Sequence, residues 1–207
     1  MDTKRPSRLA AETSEILFKI QMRIALGVLL ILPTMLGAAR RPELPEIGYP
    51  LADVKPRELR SQFNDRRRGH THHAIDLMRR RGTPVMAVAD GVIRKLYRSR
   101  TGGISIYLFD GSEEYCFFYG HLDHYAKNLH EGQEVRKGEV IGYVGYTGNA
   151  SRSAPHLHFA VSLTGPRRLW WGGVPIDPYP LLLAATPPSL GAGETEVAVG
   201  ATDTEPR

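Results

Sequence analysis

Cysteine is nearly missing from this chain of 207 residues, which has only Cys116. A single thiol excludes an intrachain disulfide and every zinc finger built from paired Cys-x-x-Cys units. Cys116 stands in the apolar run Tyr115-Cys116-Phe117-Phe118-Tyr119, where a free thiol acts as a small buried hydrophobe rather than a nucleophile. The helical zinc-protease string His-Glu-x-x-His is absent too, so a zinc peptidase of that helical type is excluded. Long apolar runs are also lacking. The longest uncharged apolar stretch, Ile24 to Ala39, has 16 residues. As a helix it would extend about 24 Å, short of a hydrocarbon core of about 30 Å.

That length fits the apolar region of a signal peptide, with Gly37-Ala38-Ala39 as small residues for a cleavage site. Translation from Met22 would give a compact signal. The competing reading is an uncleaved membrane anchor, with Lys4, Arg5, Arg8, Lys19 and Arg23 on the cytoplasmic side. Either reading exports residues 42–207. A core helix of a soluble cytosolic protein is the remaining alternative.

The expected organisation is a basic N-terminal segment over 1–23, the hydrophobic helix over 24–39, a Pro-rich segment over 40–56, one domain over 57–185 and a disordered tail over 186–207. Pro42, Pro45, Pro50 and Pro56 make 40–56 a linker, or an extended arm laid on the domain. The tail has Pro187, Pro188, Gly191, Gly193 and Gly200, few large apolar groups and net negative charge. The whole chain carries +5, mainly in residues 51–185. Such charge suits an anionic polymer; no nucleic-acid-reading motif is present, so nucleic acid is not the expected partner.

The domain reads as short strands punctuated by glycine. Pro84 to Ile93 is apolar and closed by a turn. Ile104 to Phe109 follows Gly102-Gly103 and ends at Asp110-Gly111, a hairpin signal, with Tyr115 to Leu122 returning. Glu139 to Gly145 and Leu157 to Val161 are further strands, and Arg57 to Phe63 has room for one helical turn or two. Short strands at regular spacing predict a mainly β fold, an antiparallel sandwich or barrel. Residues 131–139 resemble the hairpin of barrel-sandwich hybrid domains, so the expected core is an antiparallel sandwich or barrel-sandwich hybrid.

The chemistry gathers in histidines. His72 and Asp76 lie four apart, His156 and His158 lie two apart, and His121 stands in Tyr119-Gly120-His121-Leu122. On a strand, residues two apart share a face, so His156 and His158 look into one pocket, as two ligands or as one ligand and one base. Two imidazoles and one carboxylate make a three-ligand set, and catalytic zinc keeps a fourth position open. The upstream cluster also offers His70 and His73. Trp170-Trp171 before Gly172-Gly173 is a rim-packing pair or a stacking platform.

Together, His72-His73-Ala74-Ile75-Asp76, Tyr119-Gly120-His121-Leu122 and Pro155-His156-Leu157-His158-Phe159 resemble the lysostaphin/LytM-type metallopeptidase family. Arg81-Gly82-Thr83-Pro84-Val85, Gly145-Tyr146-Thr147-Gly148-Asn149 and Ile176-Asp177-Pro178 are similar to it as well, so the resemblance spans about residues 59–182. It implies one zinc ion held by His72, Asp76 and His158, and His121 and His156 as catalytic residues. One of these two takes a proton from water and passes it to the leaving amine; the other hydrogen-bonds the oxyanion. His70, His73, His124 and His130 match nothing in the pattern. Ala74 stands where many members have glycine, and Ala160 where they have an acid. Some members carry a tyrosine upstream of the first ligand. None lies between Tyr49 and His72, which leaves His121, His156 or Arg66 for the oxyanion. Arg66 and Asn149 are candidate substrate-groove residues; solvated turns are the alternative for the arginine runs.

The implied activity is hydrolysis of peptide cross-links in bacterial peptidoglycan, with the peptide stems as partner. The implied location is the cell envelope: the periplasm, or the periplasmic face of the inner membrane with the chain anchored there. The alternative is a non-catalytic module that binds the wall or activates another wall hydrolase. Such modules typically lack ligand or catalytic residues, whereas all five are present here.

Overall fold

Strands whose side chains alternate between two faces frame the core of this protein. A computed structural model describes residues 44–67 and 69–185. The expected basic segment 1–23, hydrophobic helix 24–39 and tail 186–207 lie outside the described residues. In chain order the strands are β1 (Arg66–Arg67), β2 (His70–Thr71), β3 (Ile75–Met78), β4 (Pro84–Met86), β5 (Gly91–Ser99), β6 (Gly103–Asp110), β7 (Tyr115–Tyr125), β8 (Glu134–Val135), β9 (Val140–Val144), β10 (His156–Leu163) and β11 (Val174–Ile176). One short helix, α1 (Pro178–Ala184), follows.

The main sheet runs β11-β10-β7-β6-β5-β8, with β3 beside β10 and with β9 linking β4 to the end of β7. All pairings are antiparallel. Strands β1 and β2 form a separate two-stranded ribbon. Among the described residues the sheet does not close into a barrel, and no helix is long and apolar enough to cross a membrane.

Alternation decides which face is core. In β10, Leu157, Phe159 and Val161 are buried to 1% exposure or less, which leaves His156 and His158 on the opposite face. In β3, Ile75 and Leu77 are buried, which turns Asp76 to that same opposite face. The core is completed by Ile106 and Leu108 of β6 and Phe117 and Tyr119 of β7.

The described part of the Pro-rich segment, 44–56, lies along this core. Ile47, Tyr49, Leu51 and Val54 are buried, Gly48 N donates to Val88 O at 2.7 Å, and Met86 N donates to Pro50 O at 2.9 Å. Arg79 fastens the same segment by donating to the Asp53 carbonyl at 3.0 Å, and it also donates to Glu58 just beyond it at 2.5 Å.

Three local expectations change. The run from Pro84 to Ile93 divides into β4 and the start of β5, because residues 87–90 bend between them. The turn expected over 57–63 shrinks to a 3-10 turn at Pro56–Glu58; Leu59 is extended and buried, and its burial draws the chain out of the turn. Helix α1 was not anticipated. Asp177 caps it by accepting from Tyr179 N, Pro178 opens it, and Leu181 and Leu182 are buried.

Candidate active site

Three strands meet at the centre of the site. His158 of β10 lies opposite Asp76 of β3 on one side and opposite Gly120 of β7 on the other. His72 reaches the same point from the loop after the β1–β2 ribbon, its backbone N–H bonded to Asp65 O at 2.9 Å. Three donor atoms converge: His72 Nε2 and Asp76 Oδ1 are 3.0 Å apart, Asp76 Oδ1 and His158 Nδ1 are 3.0 Å apart, and His72 Nε2 and His158 Nδ1 are 3.2 Å apart.

The surroundings prepare these atoms. His72 Nδ1 lies 3.2 Å from the Gln62 carbonyl; donating its hydrogen there leaves the Nε2 lone pair facing the other two donors. Asp76 is held from two directions: its backbone N–H donates to Gln62 Oε1 at 2.9 Å, and Arg67 Nη2 donates to Oδ2 at 2.9 Å. Burial alone would raise the Asp76 pKa, but the His158 and His72 rings beside it outweigh burial and hold the carboxyl below its usual range.

This donor set fits zinc. Imidazole nitrogens and a carboxylate oxygen are zinc ligands at about 2.0–2.2 Å, and tetrahedral geometry then separates ligand atoms by roughly 3.3 Å, close to the observed triangle. Among the described residues, His72, Asp76 and His158 form the one such group of metal-binding side chains.

Two further imidazoles border the triangle. His121 sits on a β-bulge. Ile106 pairs with Tyr119 and Ile104 with Leu122, so β7 carries one extra residue at Gly120-His121. His121 has φ +60, which re-aims its side chain, as bulges beside active sites do. Its ring is 4.9 Å from that of His156 and 5.6 Å from that of His158, between centroids. Its Nδ1 donates to Thr147 O at 2.8 Å. Burial, only partly opposed by that carbonyl, pushes His121 down to about 4, so the ring is neutral near pH 7. His156 Nδ1 donates to Ala154 O at 3.0 Å, and its Nε2 lies 3.7 Å from Asp76 Oδ1. Both rings thus have Nδ1 tied to a carbonyl of the 145–155 loop and present Nε2 as the basic nitrogen.

That loop presses close on its neighbours. Thr147 Oγ1 donates to Leu122 O at 2.6 Å and accepts from Ile104 N at 2.9 Å. Gly148 has φ +77, and a Cβ there would collide with Thr101 O. The sequence string Gly145 to Asn149 therefore corresponds to a backbone clamp for His121.

The remaining histidines separate from these five. His73 takes φ +51 and packs its ring on Phe63 at 5.1 Å, and His70 is exposed on β2. His124 pairs with Asp123 and stacks on Tyr143; His130 is exposed. Arg66 is exposed on β1 opposite Thr71. Asn149 is exposed with its backbone N–H on Thr101 O. Trp170 packs its ring against Tyr97 and Tyr107 at 5.2 and 4.8 Å.

Sequence reasoning did not single out Gln62 and Arg67. The run Arg66-Arg67-Arg68 was visible, but only the ribbon register, with Arg67 opposite His70, selects the arginine that reaches Asp76.

Comparison with known proteins bears on the same region. The family model described as Peptidase family M23 matches residues 70–178. The L-Ala--D-Glu endopeptidase of Bacillus subtilis (strain 168) is 33% identical over 150 residues, covering 69% of this chain and 44% of its own length. The DD-carboxypeptidase/endopeptidase Mpg of Neisseria meningitidis serogroup B (strain ATCC BAA-335 / MC58) is 41% identical over 98 residues, covering 45% of this chain and 20% of its own length. This chain therefore spans less than half the length of either. The solved structure of lysostaphin from Staphylococcus simulans superposes with a TM-score of 0.55 at 26% identity, covering 74% of this chain and 60% of lysostaphin. The family match takes in more than half of the chain and all five converging residues, and the chain belongs to peptidase family M23.

Proposed function

We propose that this chain is a zinc-dependent endopeptidase that cuts peptide cross-links of bacterial peptidoglycan. The observation that carries the reading is the triangle of His72 Nε2, Asp76 Oδ1 and His158 Nδ1, with His121 and His156 at its border. His72, Asp76 and His158 would hold one zinc ion. When bound, zinc supplies Lewis acidity toward a carbonyl oxygen and lowers the pKa of water.

The chain's own residues do the rest. His121 and His156 each offer Nε2 as a base, because Nδ1 is already donating to a carbonyl. Whichever ring accepts the proton then has an N–H to give to the leaving amine. The other ring lies at ring-contact distance; with a second proton taken from solvent, its Nε2–H can hydrogen-bond the developing oxyanion. Arg66 and Asn149 are proposed groove residues on exposed segments beside this chemistry.

The substrate class is supported by the relatives' names, an L-Ala--D-Glu endopeptidase and a DD-carboxypeptidase/endopeptidase, which point to peptides containing D-amino acids. The net positive charge suits an anionic wall. Action outside the cytoplasm, with release or anchoring by residues 24–39, is part of the same proposal. So is a two-layer sandwich related to barrel-sandwich hybrids, supported by the branch of β4 and β9 off the main sheet.

The test is digestion of purified sacculi, with released fragments read by mass spectrometry. Fragments should appear, disappear with a chelator and return with added zinc. No release from several wall types, by protein carrying one zinc per chain, would sink the enzymatic reading and favour a wall-binding module.

A further inference from the structure

We infer that Arg67 is a positioning residue for Asp76: it holds that carboxylate to one-oxygen coordination and thereby favours a four-coordinate ion. The inference rests on the zinc-site reading above. The two oxygens of Asp76 have different partners. Oδ1 meets His72 Nε2 and His158 Nδ1 at 3.0 Å each, while Oδ2 accepts from Arg67 Nη2 at 2.9 Å. The backbone at Asp76 is already fixed by its ladder pairing with His158 and by its N–H bond to Gln62 Oε1. The remaining freedom is rotation of the carboxylate, a broad and weakly defined torsion. A charge-assisted bond to Oδ2 removes that freedom.

The consequence is a choice among metals. With Oδ2 engaged, Asp76 supplies one ligand atom, and the protein set stays at three, as four-coordinate zinc with an open position requires. Freed from Arg67, the carboxylate could turn both oxygens inward, the bidentate mode common for larger, oxygen-seeking cations. Fold stability does not explain the pair. The Arg67 side chain is 40% exposed, and exposed ion pairs contribute little to stability. Simple attraction does not explain it either, because a guanidinium beside the site repels a cation.

The experiment compares the full chain with Arg67→Ala, Arg67→Lys and, as a control, His158→Ala. Zinc affinity is measured by competition with a chelator, and geometry by the visible spectrum of the Co2+-loaded protein. Melting of the metal-free forms checks the fold. Arg67→Ala should melt like the parent, bind zinc roughly 10–100-fold more weakly and lose intensity in the tetrahedral Co2+ bands. Arg67→Lys keeps a donor but lacks the planar fork and should recover part of both. If Arg67→Ala binds zinc as well as or better than the parent, with an unchanged Co2+ spectrum, Arg67 is not a positioning residue. If His158→Ala also keeps parental zinc affinity, the metal-site reading fails as well.

Discussion

A side chain that lends an electron pair to a metal and one that moves a proton fail differently when removed. Alanine at His72, Asp76 or His158 deletes one corner of a triangle only 3.0–3.2 Å on a side, and two donors do not make a catalytic zinc site. These variants should purify without zinc. Alanine at His121 or His156 leaves the triangle whole, so zinc should remain while turnover falls by about two to four orders of magnitude. Zinc per chain, measured beside fragment release from sacculi, separates the two classes. Equal zinc in all five variants contradicts the assignment. Cys116 makes the opposite kind of prediction. It is 4% exposed, and burial pushes its thiol up to about 12, so at pH 8 it is protonated and shielded. Iodoacetamide should leave the native protein unmodified and add one label after denaturation, as read by intact mass. Rapid labelling of the folded protein would contradict both the burial and the inert role.

At the scale of elements, the loop between β9 and β10 serves both proposed catalytic histidines, through Thr147 O for His121 and Ala154 O for His156. Gly148 makes its close approach possible. Gly148→Ala meets two penalties at once: a left-handed backbone, about 1–2 kcal/mol for an L-residue, and a collision with the Thr101 carbonyl. Moving Thr147 releases the His121 ring, so turnover should drop while zinc content holds. Gly111→Ala, in open space, should be silent by the same assays. Loss of zinc in Gly148→Ala, or parental activity, would show that the loop does not act through His121. This clamp marks the limit of what was legible in the chain. Alternation of Leu157, Phe159 and Val161 against His156 and His158 revealed the strand and the face that the two histidines share, because a period of two is a local property. The family strings revealed all five converging residues. The bulge that turns His121 inward, the bend that divides Pro84–Ile93, and the choice of Arg67 within an arginine run depend on which strands become neighbours, and no local pattern encodes that. Helix α1 escaped notice because seven residues are too few for a periodic signal, although its Asp177 cap and Pro178 were in plain view.

For the whole molecule, the arrangement ties metal binding to folding. His72 with Asp76, His121, and His158 come from three separate stretches of chain, and the three proposed ligands meet only when β3 and β10 pair and the ribbon loop is in place. An unfolded chain cannot present them together, so the proposed zinc should bind the native state selectively and stabilise it by RT ln(1 + [Zn]/Kd). Free zinc at 100 times Kd adds about 2.7 kcal/mol, which for a domain of this size corresponds to a rise of roughly 5–10 °C in Tm. Calorimetry with buffered zinc and with chelator measures this directly. Asp76→Ala should show no zinc-dependent rise. Leu108→Ala offers the complementary case: Leu108 is fully buried on β6, a strand that carries none of the five site residues, and its loss costs about 2–5 kcal/mol. Because it touches the core and not the triangle, it should lower Tm in both conditions yet keep the zinc increment, as expected for independent sites. A parent whose Tm ignores zinc at saturating concentration would mean that the triangle does not assemble with the fold; an increment lost in Leu108→Ala would mean that the site is strained by the core rather than simply carried on it.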